Sequence, residues 1–255
     1  MGKYFADIHG TPASQMGNES CELSDTVEVA KLRNAETYDE LLALGKALCY
    51  QLRYREAVEV YTKAISRSPE DIRAYRQRAA RYITTLQPLA AIQDFLRCRS
   101  LGGDEVDISY RLGLCHYLAG NYAEAMKELE HCYPLCDDEM GIAVIFWHTL
   151  SAWRLQLPTK LLNAAYHPGM NVGHHTAYEF TMAVASGRCE LVDAMKRLEA
   201  EPEDLEYSIM AYGVAAVLNH MDKKNEAKKL IRNLLERDGF WISYAYIAAW
   251  NDVNR

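Results

Sequence analysis

The feature that most constrains this chain is a recurrence. "YQLRYREAVEVYTKA" (residues 50–64) and "HYLAGNYAEAMKELEHC" (116–132) share a Tyr-x-x-Ala step, and their Tyr54 and Tyr122 are 68 residues apart, twice 34. Three units of 34 residues can be laid end to end without a gap: 38–71, 72–105 and 106–139. Gly45, Ala79 and Gly113 keep one slot, Ala57, Ala91 and Ala125 a second, and Tyr61, Phe95 and Leu129 a third. Small residues in the first two slots let two helices approach closely, and the large third slot fills the space between units. One helical pair cannot bury its own apolar face, so a period of this length implies units that stack.

The local signals agree with helices. From Tyr38 onward the apolar spacing is helical and the breaks are short: Pro69, Gly102-Gly103, Gly120-Asn121, Pro168-Gly169, Gly187, Pro202 and Gly239. No alternating β-branched run with hairpin chemistry is present. Thr37-x-x-Glu40 matches a capping box, which predicts a helix start there. Gly120-Asn121 interrupts an otherwise helical stretch and is expected to be the turn between two antiparallel helices, because Gly takes the left-handed conformation cheaply.

The pattern resembles the tetratricopeptide repeat family, whose signature is W-x2-L-G-x2-Y, then A-x3-F, then P. The three units cover about 40% of the chain. They depart from the signature in places. Leu41, Tyr75 and Ser109 stand in the Trp slot, Arg78 replaces a Leu, and only the first unit ends in Pro. Beyond Glu139 the pattern degenerates. Trp147-x-x-Leu150-Ser151 resembles the opening of a further unit, with Pro158 expected in the first turn of its second helix. Residues 174–200 and 207–239 read as two more pairs, and "FWISYAYIAAWNDV" as a capping helix. The resemblance implies an all-α, right-handed α-solenoid of about six antiparallel helix pairs with a C-terminal capping helix. The expected organisation is a flexible N-terminal arm over 1–34 (with a short helix near 26–32), three tandem repeats over 35–139, and degenerate repeats with the cap over 140–255.

Composition narrows the function classes. The formal net charge is −7, which argues against bulk nucleic-acid binding. No apolar run is long enough to span a bilayer, and the first residues lack a secretory h-region, so no membrane association is expected and a cytoplasmic location is. Seven cysteines without a C-x-x-C read as thiols in a reducing compartment. Cys98 and Cys132 share the slot of Ala64 and are expected to be small core fillers. A zinc site at Cys132-x-x-x-Cys136 is the sharper alternative. His167, His174 and His175 lie close together but without a carboxylate or Cys at ligand spacing, which favours a polar loop over a metal centre. No nucleophile elbow, phosphate loop or dinucleotide fingerprint is present, so neither catalysis nor a cofactor is expected.

Charge is unevenly distributed. Residues 63–99 carry eight basic and three acidic side chains (8 − 3 = +5), whereas 100–141 carry two basic and nine acidic (2 − 9 = −7). A basic unit therefore abuts an acidic one. Either the two neutralise each other across the boundary, or the basic unit forms one wall of a groove for an acidic peptide.

The resemblance implies that first helices line a peptide groove. By phase, its slots hold Asp39, Leu42, Lys46, Cys49 and Tyr50, then Arg73, Arg76, Ala80, Ile83 and Thr84, then Asp107, Tyr110, Leu114, Tyr117 and Leu118. The expected peptide-binding residues are Lys46, Tyr50, Arg73, Arg76, Ile83, Tyr110, Leu114 and Tyr117. The clamp by which one branch of the family holds acidic chaperone tails maps onto Leu42, Lys46, Gln77, Asp107 and Arg111. Only Arg111 keeps the residue type, so that role is not expected. The reading is a non-catalytic scaffold for a protein or peptide partner, with an acidic segment as one candidate. The alternatives are a peptide-sensing regulator or secretion-type chaperone, and then a metal-dependent enzyme in the region of His148 to His175. The sequence does not set the oligomeric state.

Overall fold

The computed structural model describes residues 26–255, in which fourteen α-helices and no strands occur. A short helix, α1 (Val27–Leu32), is capped by Thr26. Six helix–turn–helix pairs follow: α2 (Tyr38–Tyr50) with α3 (Tyr54–Arg67), α4 (Ile72–Thr84) with α5 (Pro88–Ser100), α6 (Glu105–Ala119) with α7 (Tyr122–Cys132), α8 (Asp138–Arg154) with α9 (Lys160–Ala165), α10 (Thr176–Ala185) with α11 (Leu191–Ala200), and α12 (Asp204–His220) with α13 (Lys224–Glu236). The last helix is α14 (Tyr244–Asn254). The expected arm falls mostly on residues 1–25, outside the described residues, and Val29 of α1 is buried against the first pair.

The described chain divides into two compact units, 26–115 and 116–255, with the division inside α6. Within the first, the capping box is present: Thr37 Oγ1 accepts from the Glu40 amide at 3.4 Å and Glu40 Oε2 accepts from the Thr37 amide at 3.0 Å. Gly45 is required by packing. A Cβ there would lie 2.4 Å from the Tyr61 ring, so the small slot of one helix and the large slot of the next are complementary parts of one contact. Ala57, Ala79 and Ala91 are fully buried.

The turn within each pair follows one rule. One of the two residues after the first helix takes a positive φ, at Leu52 (61°), Leu86 (52°), Gly120 (83°), Gln156 (57°), Gly187 (75°) and Asp222 (61°). In every case the next amide reaches back five residues: Arg53 to Leu48, Gln87 to Tyr82, Asn121 to His116, Leu157 to Ala152, Arg188 to Ala183 and Lys223 to Leu218, at 2.7–3.0 Å. This is the long hydrogen bond of a Schellman cap, which satisfies carbonyls the helix leaves over. Leu52, Leu86 and Gly120 are spaced by 34 residues, and the same cap persists through the degenerate pairs. Only two of the six positions use glycine, so four pay steric strain to keep the hairpin.

In the unit 116–255, α8 is its central helix. Every residue from Gly141 to Ala152 is buried, consistent with apolar character on all sides. α8 packs against α7, α9, α10 and α12, and α12 packs in turn against α10, α13 and α14. Two expectations for this pair need correction. The turn at Gln156 places the small slot at Thr149, not at Ser151 as the Trp147 alignment implies. Pro158 lies ahead of the Thr159 N-cap, outside the first turn of α9. The α10/α11 pair departs differently: α11 begins four residues after its left-handed turn residue, where α3, α5 and α7 begin two after theirs. The extra two residues move the buried small side chain to Ala194 and leave Val192 exposed. The last pair keeps its expected slots, with Ala227 and Leu234 buried.

Candidate functional site

The expected binding residues separate into two groups. Lys46, Tyr50, Arg73 and Arg76 are open to solvent, and Tyr50 is 75% exposed. Ile83, Tyr110, Leu114 and Tyr117 are buried side chains, which corrects the expectation that they present a contact surface. Helical phase assigns a slot to each of them, but it cannot tell whether a later element covers that slot. For Tyr117 the cover is visible. Its hydroxyl lies 2.7 Å from that of Tyr212 on α12, and its ring meets Trp147 edge-on at 5.1 Å.

The open face is built on α2 and α4. Asp39, Lys46 and Tyr50 recur at helical spacing along α2, and the Lys46 ammonium lies 5.9 Å from the Tyr50 ring. Asp39, Arg73 and Asp107 occupy one slot in successive units, 34 residues apart, with alternating sign. Ion pairs hold each of the three. Arg73 bridges Asp39 at 3.1 Å and Asp71 at 2.7 Å, and it stacks over the Tyr38 ring at 5.0 Å. Arg76 binds Asp107 through two parallel bonds of 2.8 and 3.0 Å, and Arg111 holds the same carboxylate at 2.7 Å.

The electrostatics follow from these contacts. The Arg73 side chain is the main cause that lowers the Asp71 carboxyl to about 2, and the Tyr38 hydroxyl is pushed up to about 12 mainly by burial. Burial works to raise Asp107, but Arg76 and Arg111 together outweigh it and hold that carboxyl below its ordinary range. The basic wall is thus already engaged with carboxylates of its own chain. Asp107 of the acidic stretch pairs with Arg76, while Asp39 and Asp71, which lie outside that stretch, serve Arg73. Arg97 reaches Glu70 at 2.7 Å and Arg99 reaches Glu105 at 2.8 Å.

Arg78, the departure from the Leu slot, has a structural role. It makes a bidentate pair with the buried Asp94 of α5 at 2.7 and 2.8 Å and donates to Thr62 at 2.9 Å. The sequence showed the odd residue but not its partner, sixteen positions away.

Sequence reasoning missed a second polar cluster, in the unit 116–255. Arg154 of α8 contacts the hydroxyls of Tyr117 and Tyr212 at 3.3 and 3.4 Å and pairs with Asp252 of α14, which also accepts from Tyr212 at 2.9 Å. Asn251 of α14 donates to the Leu118 carbonyl at 2.9 Å, and Arg255 donates to the same oxygen. The terminal helix therefore closes over the end of α6. Its members span residues 117 to 255, so no local motif announces them.

The described histidines do not converge. His148 is buried with Nε2 3.3 Å from Glu130, and burial lowers its pKa. His174 and His175 tie the loop before α10 to Glu139 at the start of α8. Among the described residues no group of three or more His, Cys, Asp or Glu side chains is arranged to hold a metal ion. A recess of about 400 Å³ is lined by Trp153, Tyr166, Arg188 and His220, with none of the loop histidines in it. No described helix is long and apolar enough to cross a membrane.

Repeated caps, complementary small and large slots and consecutive pairing define a helical-repeat protein. Residues 82–131 match the family model of the tetratricopeptide repeat. It is 30% identical over 112 residues to the Hsp70-Hsp90 organizing protein 3 of Arabidopsis thaliana, a match covering 42% of this chain and 20% of that protein. It is 27% identical over 110 residues to the Hsp70-Hsp90 organizing protein of Triticum aestivum, covering 43% and 19%. The chain thus spans about a fifth of the length of these relatives. A solved structure, that of YrrB, described as a TPR protein with an unusual peptide-binding site, is similar with a TM-score of 0.47 and 11% identity, covering 91% of this chain and 100% of that one.

Proposed function

We propose that this chain is a non-catalytic adaptor that captures a segment of a partner protein on the open α2/α4 face. The observation that carries the reading is Tyr50, a large aromatic ring left 75% exposed beside Lys46 on a rigid helix. Exposed aromatics on rigid supports offer contact area at low entropic cost and dominate binding energy at interfaces. The repeat architecture and the organizing proteins it resembles support a role in protein assembly. We further propose that the partner segment is acidic. It would meet Lys46 directly and would exchange with Asp39 on Arg73, whose other carboxylate, Asp71, stays in place.

The test is binding of the full chain to labelled peptides ending in acidic residues, followed by fluorescence anisotropy, with amidated and neutral peptides as controls. Tyr50→Ala and Lys46→Glu are expected to weaken binding of the acidic peptide about ten-fold or more. Neither residue is a core or ion-pair member, so melting temperatures should stay within a degree or two of the parent, in line with small surface effects. Unchanged affinity in both variants would refute the proposed face.

A further inference from the structure

Cys132 ends α7 and Cys136 follows the 3-10 turn Tyr133–Leu135. The two sulfurs are 3.5 Å apart, and the Cys136 thiol also lies 3.3 Å from the Cys132 carbonyl oxygen. Cys132 is fully buried, whereas Cys136 is half-buried and reaches solvent. The next residue, Asp137, is the N-cap of α8 and accepts from the Met140 amide at 2.9 Å, so Cys136 stands at the entrance of a seventeen-residue helix. We propose that Cys132 and Cys136 form a two-thiol redox site, which a hydroperoxide closes to an intrachain disulfide and a dithiol reopens.

The assignment of roles follows from access and acidity. The hydrogen bond from Cys132 lowers the pKa of Cys136. Burial acts oppositely elsewhere: it raises Cys49, pushes Cys98 up to about 11, and raises the fully buried Cys115 further. The thiolate is the reactive species, so Cys136 is the attacking sulfur and Cys132 the resolving one. In the first step the Cys136 thiolate attacks one peroxide oxygen and the O–O bond breaks. Cys136 becomes a sulfenic acid, and the departing hydroxide takes up the proton lost from the thiol, giving water. In the second step the Cys132 sulfur attacks the Cys136 sulfur and the S–O bond breaks. The hydroxyl leaves with the Cys132 proton as a second water. Two thiols and one peroxide thus give one disulfide and two waters, with two electrons passing from sulfur to oxygen. The sulfurs must close by only about 1.5 Å to reach bonding distance.

The test treats the full chain with about one equivalent of hydrogen peroxide, then alkylates the remaining thiols under denaturing conditions for mass spectrometry. The expected result is a loss of about 2 Da and of two alkylation sites, both in the peptide holding Cys132 and Cys136, restored by dithiothreitol. Cys189, half-buried and outside the pair, is the internal control and should be modified about ten-fold more slowly. In Cys132→Ser the oxidised Cys136 should persist as a sulfenic acid that dimedone traps. In Cys136→Ser, Cys132 should stay reduced at the same dose. Oxidation of Cys189 at the rate of Cys136, or a disulfide formed elsewhere or between chains, would overturn the proposal. The wild-type chain alone decides this, whether or not the variants fold.

Discussion

Two arginines on α4, two positions apart, make the same bidentate contact in different surroundings. Arg76 meets Asp107 with side chains 46% and 22% exposed, and Arg78 meets Asp94 with side chains 16% and 7% exposed. The geometry is nearly identical, yet the energetic meaning is not. An exposed pair gains little, because water competes for both charges and salt screens them. A buried pair has already given up its hydration, so removing one partner leaves an uncompensated charge in the interior. One side of α4 therefore carries a contact that water and salt weaken, and the other carries a contact that the fold depends on.

The sharpest way to break this comparison is to restore the family residue. Arg78→Leu should destabilise the chain by about 3 kcal/mol or more, because Asp94 would be buried alone. Arg78→Leu with Asp94→Val should recover most of that loss, since replacing both partners of a buried pair by apolar groups is often neutral. Denaturant melts of the single and double variants measure both effects. Next in size is Gly45→Ala. Its Cβ would lie 2.4 Å from the Tyr61 ring, and overpacking of this kind costs about 1–3 kcal/mol. Arg76→Leu belongs at the lower end, with a loss of about 1 kcal/mol or less that shrinks further in salt, because Arg111 still holds Asp107.

The exposed side should also respond to acid in a defined window. The folded pKa of Asp71 is depressed to about 2 from 3.8, chiefly by the Arg73 side chain. Its contribution is fully present above pH 3.8 and is lost as pH falls through about 2, because the unfolded chain binds the proton first. Arg73→Gln should flatten the stability curve in that window and lower stability at neutral pH by the contribution lost there, an amount kept small by solvent screening of this exposed pair. The smallest effect has the opposite sign. Leu86 holds a φ of 52°, and Leu86→Gly should stabilise the chain by about 0.5 kcal/mol, the relief of left-handed strain less the entropy of glycine.

Much of the fold was legible because it rests on small residues at fixed spacing. Gly45, Ala57, Gly113 and Gly120 announce close approach and a turn by their identity alone. Leu52 and Leu86 announce nothing, since neither residue type signals a left-handed turn, and only the phase set by Gly120 locates them. The degenerate pairs were harder for the same reason. Thr149 and Phe180 stand where smaller residues are usual, and a two-residue insertion shifts α11, so the alignment on Trp147 fell out of register. The candidate face was half legible. Lys46, Tyr50, Arg73 and Arg76 stand on the open face, but Ile83, Tyr110, Leu114 and Tyr117 are buried. A count of charges suggested a basic wall, yet it could not see that Asp39 and Asp107, 34 and 31 residues from their partners, already occupy it.

The claim that α2 and α4 present the binding face is tested most directly by hydrogen exchange of the full chain with and without a saturating acidic peptide. The account predicts slower exchange concentrated in residues 38–50 and 72–84, lost in Tyr50→Ala, with 204–220 unaffected. Protection that falls instead on α12 or α14 and leaves α2 and α4 unchanged would contradict it.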